Sequence, residues 1–195
     1  MSLFNLEKQL LFYGAYHHDP INIAIHTACV PILLLTGIQF GTNTPSLFKS
    51  QWLSTHNLPT NLGTIAAITY SGLYMVLEPV AGAALSPLLI GFAAFANRLT
   101  TKYGARANKY SIGIHVVSWL LQFVGHGKFE GRAPALLDNL FQALFLAPLF
   151  VWMEFLFKLG YRPELRARLE AGVQKELKRL AAAKEAKKAT RPDTK

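Results

Sequence analysis

Cysteine is nearly missing from this chain: its 195 residues contain one, Cys29. A single thiol inside an apolar run excludes an internal disulfide and says nothing about redox compartment. Charge is scarce as well, at 16% of residues against 51% hydrophobic, which excludes an ordinary soluble domain of this length. Acidic residues are the scarcer sign, 11 against 20 Lys+Arg, and the excess is unevenly placed. Residues 158–195 carry twelve Lys/Arg and five Asp/Glu, a net +7 of the formal +9. That tail has no aromatic residue beyond Tyr161 on which a base could stack, so nucleic acid is not the expected partner and an anionic membrane surface is. Also absent are a Gly-rich phosphate loop, a GxSxG elbow, an HExxH pair and any internal repeat. The first twenty residues lack an uninterrupted apolar stretch followed by a small-residue cleavage site, so the chain is expected to enter a membrane through its internal helices.

What is there is a series of apolar segments. Residues 21–40 are about as long as a bilayer core requires. Their start is marked by Asp19, a good helix N-cap, and by Pro20 at the first helical position, with Pro31 expected to kink the helix. Residues 41–61, with Trp52 in the middle, read as a loop at a membrane interface. Residues 62–97 are interrupted by Glu78-Pro79 and Gly82 and predict a helical hairpin, in which Ala81, Gly82, Ala83 and Ala84 allow close helix approach. Arg98, Lys102, Arg106 and Lys109 suggest a basic loop, followed by apolar segments at residues 110–124 and 134–157. The expected fold is therefore all-α, a polytopic membrane bundle of about four to five short transmembrane helices with a basic C-terminal tail helix. Placing the basic loop and tail on the cytoplasmic side puts His17, His18 and His126 on the opposite face together.

Ionisable groups at membrane depth are costly and point to function by default. In HHDPINIAIH, Asn22 and His26 are four residues apart on one helix face, and His17 precedes the helix closely enough to fold over its end. Neutral imidazole suits iron, zinc, copper or nickel, and this cluster alone does not choose among them. The plainer alternative leaves His17 and His18 solvated at the interface and His26 hydrogen-bonded to a neighbouring helix. In WLLQFVGHGKFEGRAPALLDN, Gly125 and Gly127 bracket His126, where they let the chain bend sharply and approach a metal or substrate. Glu130, Arg132, Asp138 and Asn139 follow nearby; the plainer alternative is a polar turn in which Asp138 caps the last helix. His115 shares a helix face with Gln122 and His126 but lies about 16 Å from His126 along an unbroken helix, too far for both to hold one ion. Either the helix breaks near Gly125 or His115 serves elsewhere; it ranks below the other three, and His56 below it.

The stretches FYGAYHHDPINIAIHTACVPILL and WLLQFVGHGKFEGRAPALLDNLFQALFLAPLFVWMEFLFKLGY resemble the fungal 2-hydroxy fatty acid dioxygenase family, in order and spacing, up to about Pro163. The resemblance implies a multi-pass endoplasmic reticulum membrane protein that requires Fe(2+) and shortens 2-hydroxy fatty acids by one carbon with release of CO2, in phytosphingosine degradation. It maps the family's motif histidines onto His17, His26 and His126. With the resemblance ending at about Pro163, the expected division is a membrane-embedded catalytic domain at residues 1–163 and, from its positive charge, a basic cytoplasmic tail at 164–195.

Converting RCH(OH)COOH to RCOOH and CO2 removes four electrons, and reducing one O2 to the level of water takes four, so no further reductant is required. On this reading the histidines, with His115 a lower-ranked candidate, hold the iron and leave positions for the substrate's hydroxyl and carboxylate and for O2. Arg132 or Lys128 would neutralise the substrate carboxylate, Glu130 would take a proton or orient a ligand histidine, and the acyl chain would lie between apolar helices. Two rivals remain at this point: a non-enzymatic membrane lipid-binding or assembly protein, which predicts no metal, and a di-metal lipid hydroxylase, which demands more paired histidines.

Overall fold

A computed structural model describes residues 5–131, 140 and 142–189. Among them there is no β-strand. The helices are α1 (Leu6–Tyr16), α2 (Pro20–Gly41), α3 (Gln51–Thr55), α4 (Leu62–Leu77), α5 (Pro79–Tyr103), α6 (Ala105–Val124), α7 (Ala147–Lys158) and α8 (Pro163–Ala189), with π-helical segments at Gly125–Glu130 and Gln142–Leu146.

The helix starts follow from local chemistry. The Asp19 carboxylate accepts from the amides of Ile21 at 2.8 Å and Asn22 at 3.1 Å, and Pro20 opens α2 as expected. Pro31 sits inside α2, which continues through it to Gly41. Asn61 caps α4 through Thr64 at 3.1 Å, and α4 ends at Glu78, where Pro79 starts α5. This is the expected hairpin, and it closes tightly: a Cβ on Gly82 would lie 2.4 Å from the Met75 nitrogen.

Two expectations change. The basic loop is absent: Arg98 and Lys102 finish α5, Arg106 and Lys109 begin α6, and the break is Gly104, at φ +49°. Arg and Lys are good helix formers, and cations near a helix C-terminus are favoured by its dipole, so these charges extend α5 rather than stop it. The interfacial loop also contains the short helix α3, capped by Ser50.

Tyr74, Ala81, Leu89, Leu149, Phe150 and Met153 form the centre of the core, and α7 packs there against α2 and α5. Along α6, Ile112, Val116, Leu120 and Phe123 are exposed, an apolar surface that suits lipid better than water. Among the described residues two helices, α2 and α5, are long and apolar enough to cross a membrane, and a third counts if the segment Gln142–Lys158 and Pro163–Ala183, bent by 116°, is one span. The apolar runs of the sequence suggested four to five. The difference arises because α4 has only 16 residues and the first turns of α6 carry Arg106 and Lys109. The first half of α8 docks on α1: Leu165 and Leu169 are buried, Val173 meets Gly14, and Arg168 binds Glu7 at 3.0 and 3.1 Å.

Candidate metal centre

Three helix ends or starts converge on one point. His17 caps the C-terminus of α1, His26 lies in the second turn of α2, and His126 lies in the π-helical continuation of α6. All three are buried, and each offers a ring nitrogen within 4.8 Å of the other two. Their ring centroids are 4.4 to 4.8 Å apart and their planes nearly perpendicular, so the edges rather than the faces meet.

Two of the rings are fixed by the backbone. His17 donates from Nδ1 to the Tyr13 carbonyl, and His26 donates from Nδ1 to the Asn22 carbonyl, both at 3.0 Å. Each bond sets the tautomer and leaves Nε2 as a lone pair, the usual outer support of a metal-binding histidine. His17 Nε2 is buried with no hydrogen-bond partner among the described residues. An orphaned acceptor in a dry site is a cost that a cation would remove. Burial holds His17 well below the usual imidazole range, and the neighbouring His26 adds to the effect; the ring is therefore neutral and able to coordinate. The Tyr13 ring stacks on His17 at 4.0 Å, and burial raises its phenol well above its ordinary value.

The π-helical widening explains how His126 reaches the group. The sequence suggested a sharp bend at its flanking glycines; instead α6 continues through Gly125 in right-handed helical geometry and widens by about one residue per turn. Gly125 is needed for closeness, since a Cβ there would lie 2.4 Å from Asn22 Oδ1, whereas Gly127 faces open space.

Glu130 closes this arrangement. Its side chain is fully buried and accepts from the amides of His18 at 3.0 Å and Asp19 at 3.2 Å and from Asn22 Nδ2 at 2.8 Å; it also pairs with the His18 ring. The carboxylate thus ties the π-helical segment to the start of α2, and through Asn22 to the residue whose carbonyl orients His26.

The other sequence candidates fall elsewhere. His115 is bonded at both nitrogens, donating from Nδ1 to Thr36 Oγ1 at 2.7 Å and accepting from Trp119 Nε1 at 3.0 Å, and it is not part of the three-histidine group. With α6 unbroken up to Gly125, the distance argument against a shared ion stands. Lys128 is exposed, with Nζ 5.5 Å from the Phe129 ring centroid, and does not line the cavity at the histidines. Arg132, Asp138 and Asn139 lie outside the described residues.

Sequence reasoning missed Tyr13 and the role of Gln122, which lies four residues before His126 on the same helix face. Gln122 Nε2 is buried with no hydrogen-bond partner among the described residues, and the residue lines the cavity beside the histidines. The i, i+4 spacing was the available signal. Gln142 also lines this cavity, held by Gln9 at 2.7 Å. The cavity is small, about 50 Å³, and touches a larger apolar chamber of about 340 Å³ with which it shares Trp119, Gln122, Ala143 and Ala147.

Fold and site together define an all-helical protein with membrane-length apolar helices and a buried three-histidine group suited to a transition metal. Residues 3–159 match the family described as 2-hydroxy-palmitic acid dioxygenase Mpo1-like, and the chain belongs to that family. It is 40% identical over 168 residues to the 2-hydroxy-palmitic acid dioxygenase MPO1 of Saccharomyces cerevisiae, covering 86% of this chain and 89% of that protein. No solved structure matches.

Proposed function

We propose that this protein is an Fe(2+)-dependent dioxygenase of the endoplasmic reticulum membrane that converts a 2-hydroxy fatty acid and O2 to the acid one carbon shorter, CO2 and water. The observation that carries this reading is the group of three buried histidines, two with Nδ1 tied to backbone carbonyls and a cavity beside them. Family membership and the name of the yeast relative supply the substrate class. The donor set fits iron: three buried imidazoles, each with a ring nitrogen near the other two, would hold a divalent ion. Ferrous iron held there would supply the activation of O2.

The chain's own residues do the rest. His17, His26 and His126 hold the ion, and the carbonyls of Tyr13 and Asn22 keep the first two rings in register. Glu130 fixes Asn22 and acts as a positioning residue. The amides of Gln122 and Gln142 border the cavity, and Gln122 Nε2 donates to the substrate carboxylate, the part we assign to it in place of Lys128. Tyr13, Trp119 and Phe123 exclude bulk water. The equation RCH(OH)COOH + O2 → RCOOH + CO2 + H2O balances in atoms and electrons, so no second reductant is needed. Residues 158–195, with their net +7, are proposed to rest on the anionic cytoplasmic leaflet.

The test is turnover by detergent-purified protein loaded anaerobically with Fe(2+), then given oxygen and 2-hydroxypalmitic acid. Pentadecanoic acid formed only with both iron and oxygen supports the reading. Untouched substrate under all conditions sends the protein to the non-enzymatic lipid-binding class.

A further inference from the structure

The cavity at the histidines holds about 50 Å³, room for water-sized molecules at about 30 Å³ each and not for a long acyl chain. The chamber beside it is about 340 Å³, within the range of small-molecule sites, and its walls are mostly apolar side chains of α2, α4, α6, α7 and the Gln142–Leu146 segment. The two spaces meet at Trp119 and Gln122. Trp119 is held there by His115, which is itself anchored to Thr36 of α2. A polar donor at the neck and an apolar space behind it match an amphiphile with one polar end.

We propose that this chamber is the acyl-chain subsite: the 2-hydroxy acid places its polar end at the histidines, its chain passes Trp119 and Gln122, and Gly37 sets how long a chain fits. The inference rests on the proposed function for the identity of the polar end. Gly37 lines the chamber on the same helix as His26, eleven residues further on, which is about 16 Å along the axis. A zigzag chain with bonds of about 1.5 Å advances roughly 1.3 Å per carbon, so about a dozen methylenes reach from the histidines to Gly37. A Cβ at Gly37 meets nothing within 4 Å, so a larger side chain there projects into open space instead of the protein core. It also removes a helix-weakening glycine, so the variant is expected to fold.

The experiment compares wild type with Gly37→Phe, using sixteen-carbon and eight-carbon 2-hydroxy acids, with iron content measured on each preparation. In parallel, a 2-hydroxypalmitic acid bearing a diazirine near its methyl end is photocrosslinked to the wild-type protein. The expected result is unchanged iron and a kcat/KM for the sixteen-carbon acid lowered by about tenfold or more, the scale on which hydrophobic pockets discriminate by size. The eight-carbon acid is spared, and the crosslink falls on residues 30–38 or 66–70. Equal effects on both acids, or crosslinks confined to α5 or α8, overturn the chamber assignment. If wild type turns over neither acid while the label still enters the chamber, the subsite stands and the proposed reaction fails.

Discussion

Replacing Glu130 separates positioning from proton transfer. In Glu130→Ala, Asn22 Nδ2 loses its acceptor in a buried setting, and the amides of His18 and Asp19, which are partly exposed, lose theirs. An unsatisfied buried donor costs about 1–3 kcal/mol, and the two partly exposed amides recover some of their loss from water, so the total is about 2–4 kcal/mol. That is a large share of a typical stability of about 5–15 kcal/mol. Because Asn22 also presents the carbonyl that holds His26, the same change loosens the ring and should weaken metal binding by about 10- to 100-fold, the usual effect of losing a group that orients a metal-binding histidine. Glu130→Gln keeps the shape and, with its one oxygen at the Oε2 position, the bonds from the Asp19 amide and Asn22 Nδ2 while giving up the one from the His18 amide, so it should retain metal and keep kcat within about tenfold with an unshifted pH profile. The assays are iron per chain, thermal unfolding in detergent, and kcat against pH. Full stability and full iron in Glu130→Ala refute the positioning role. Full iron with kcat abolished in Glu130→Gln instead makes the carboxylate a proton carrier.

Other substitutions test adjoining parts of the argument. Gly125→Ala drives a Cβ to 2.4 Å from Asn22 Oδ1 and should cost about 1–3 kcal/mol in the melting profile and lower iron content, whereas Gly127→Ala, facing open space, should be neutral or slightly stabilising. Equal effects at the two glycines contradict the close approach. The metal-free protein should lose stability as pH falls below about 6.5, because the unfolded chain takes a proton that buried His17 refuses. Above that pH both states are neutral and His17 contributes nothing. Each unit lower costs up to about 1.4 kcal/mol until the folded ring also titrates. A melting temperature that is flat or rises between pH 7 and pH 5.5 contradicts the burial argument.

Much of this was legible in the sequence where the signal is local. Asp19-Pro20 marks a helix start and Glu78-Pro79 a turn because caps and proline act within one turn. His17, His26 and His126 stood out because imidazole in an apolar chain is costly without a purpose. What was not legible depends on tertiary contact. The run from Arg98 to Lys109 looks like a loop by charge, yet its residues favour helix and only Gly104 interrupts it. The π-helical segment Gly125–Glu130 packs against Asn22, which lies more than a hundred positions earlier, and no local signal marks that contact. Glu130 drew notice as a charge near a histidine, but its partners at the start of α2 are visible only once the fold brings them together. His115 has the same composition signal as the others; the structure separates it by occupying both of its nitrogens.

The most direct test of the account is iron stoichiometry in the purified wild type and in four single alanine variants. About one Fe(2+) per chain in wild type and His115→Ala, with iron lost from folded His17→Ala, His26→Ala and His126→Ala, is the predicted result. Wild type without iron, or iron retained in all three of those variants, would contradict the claim that this histidine group is the metal centre.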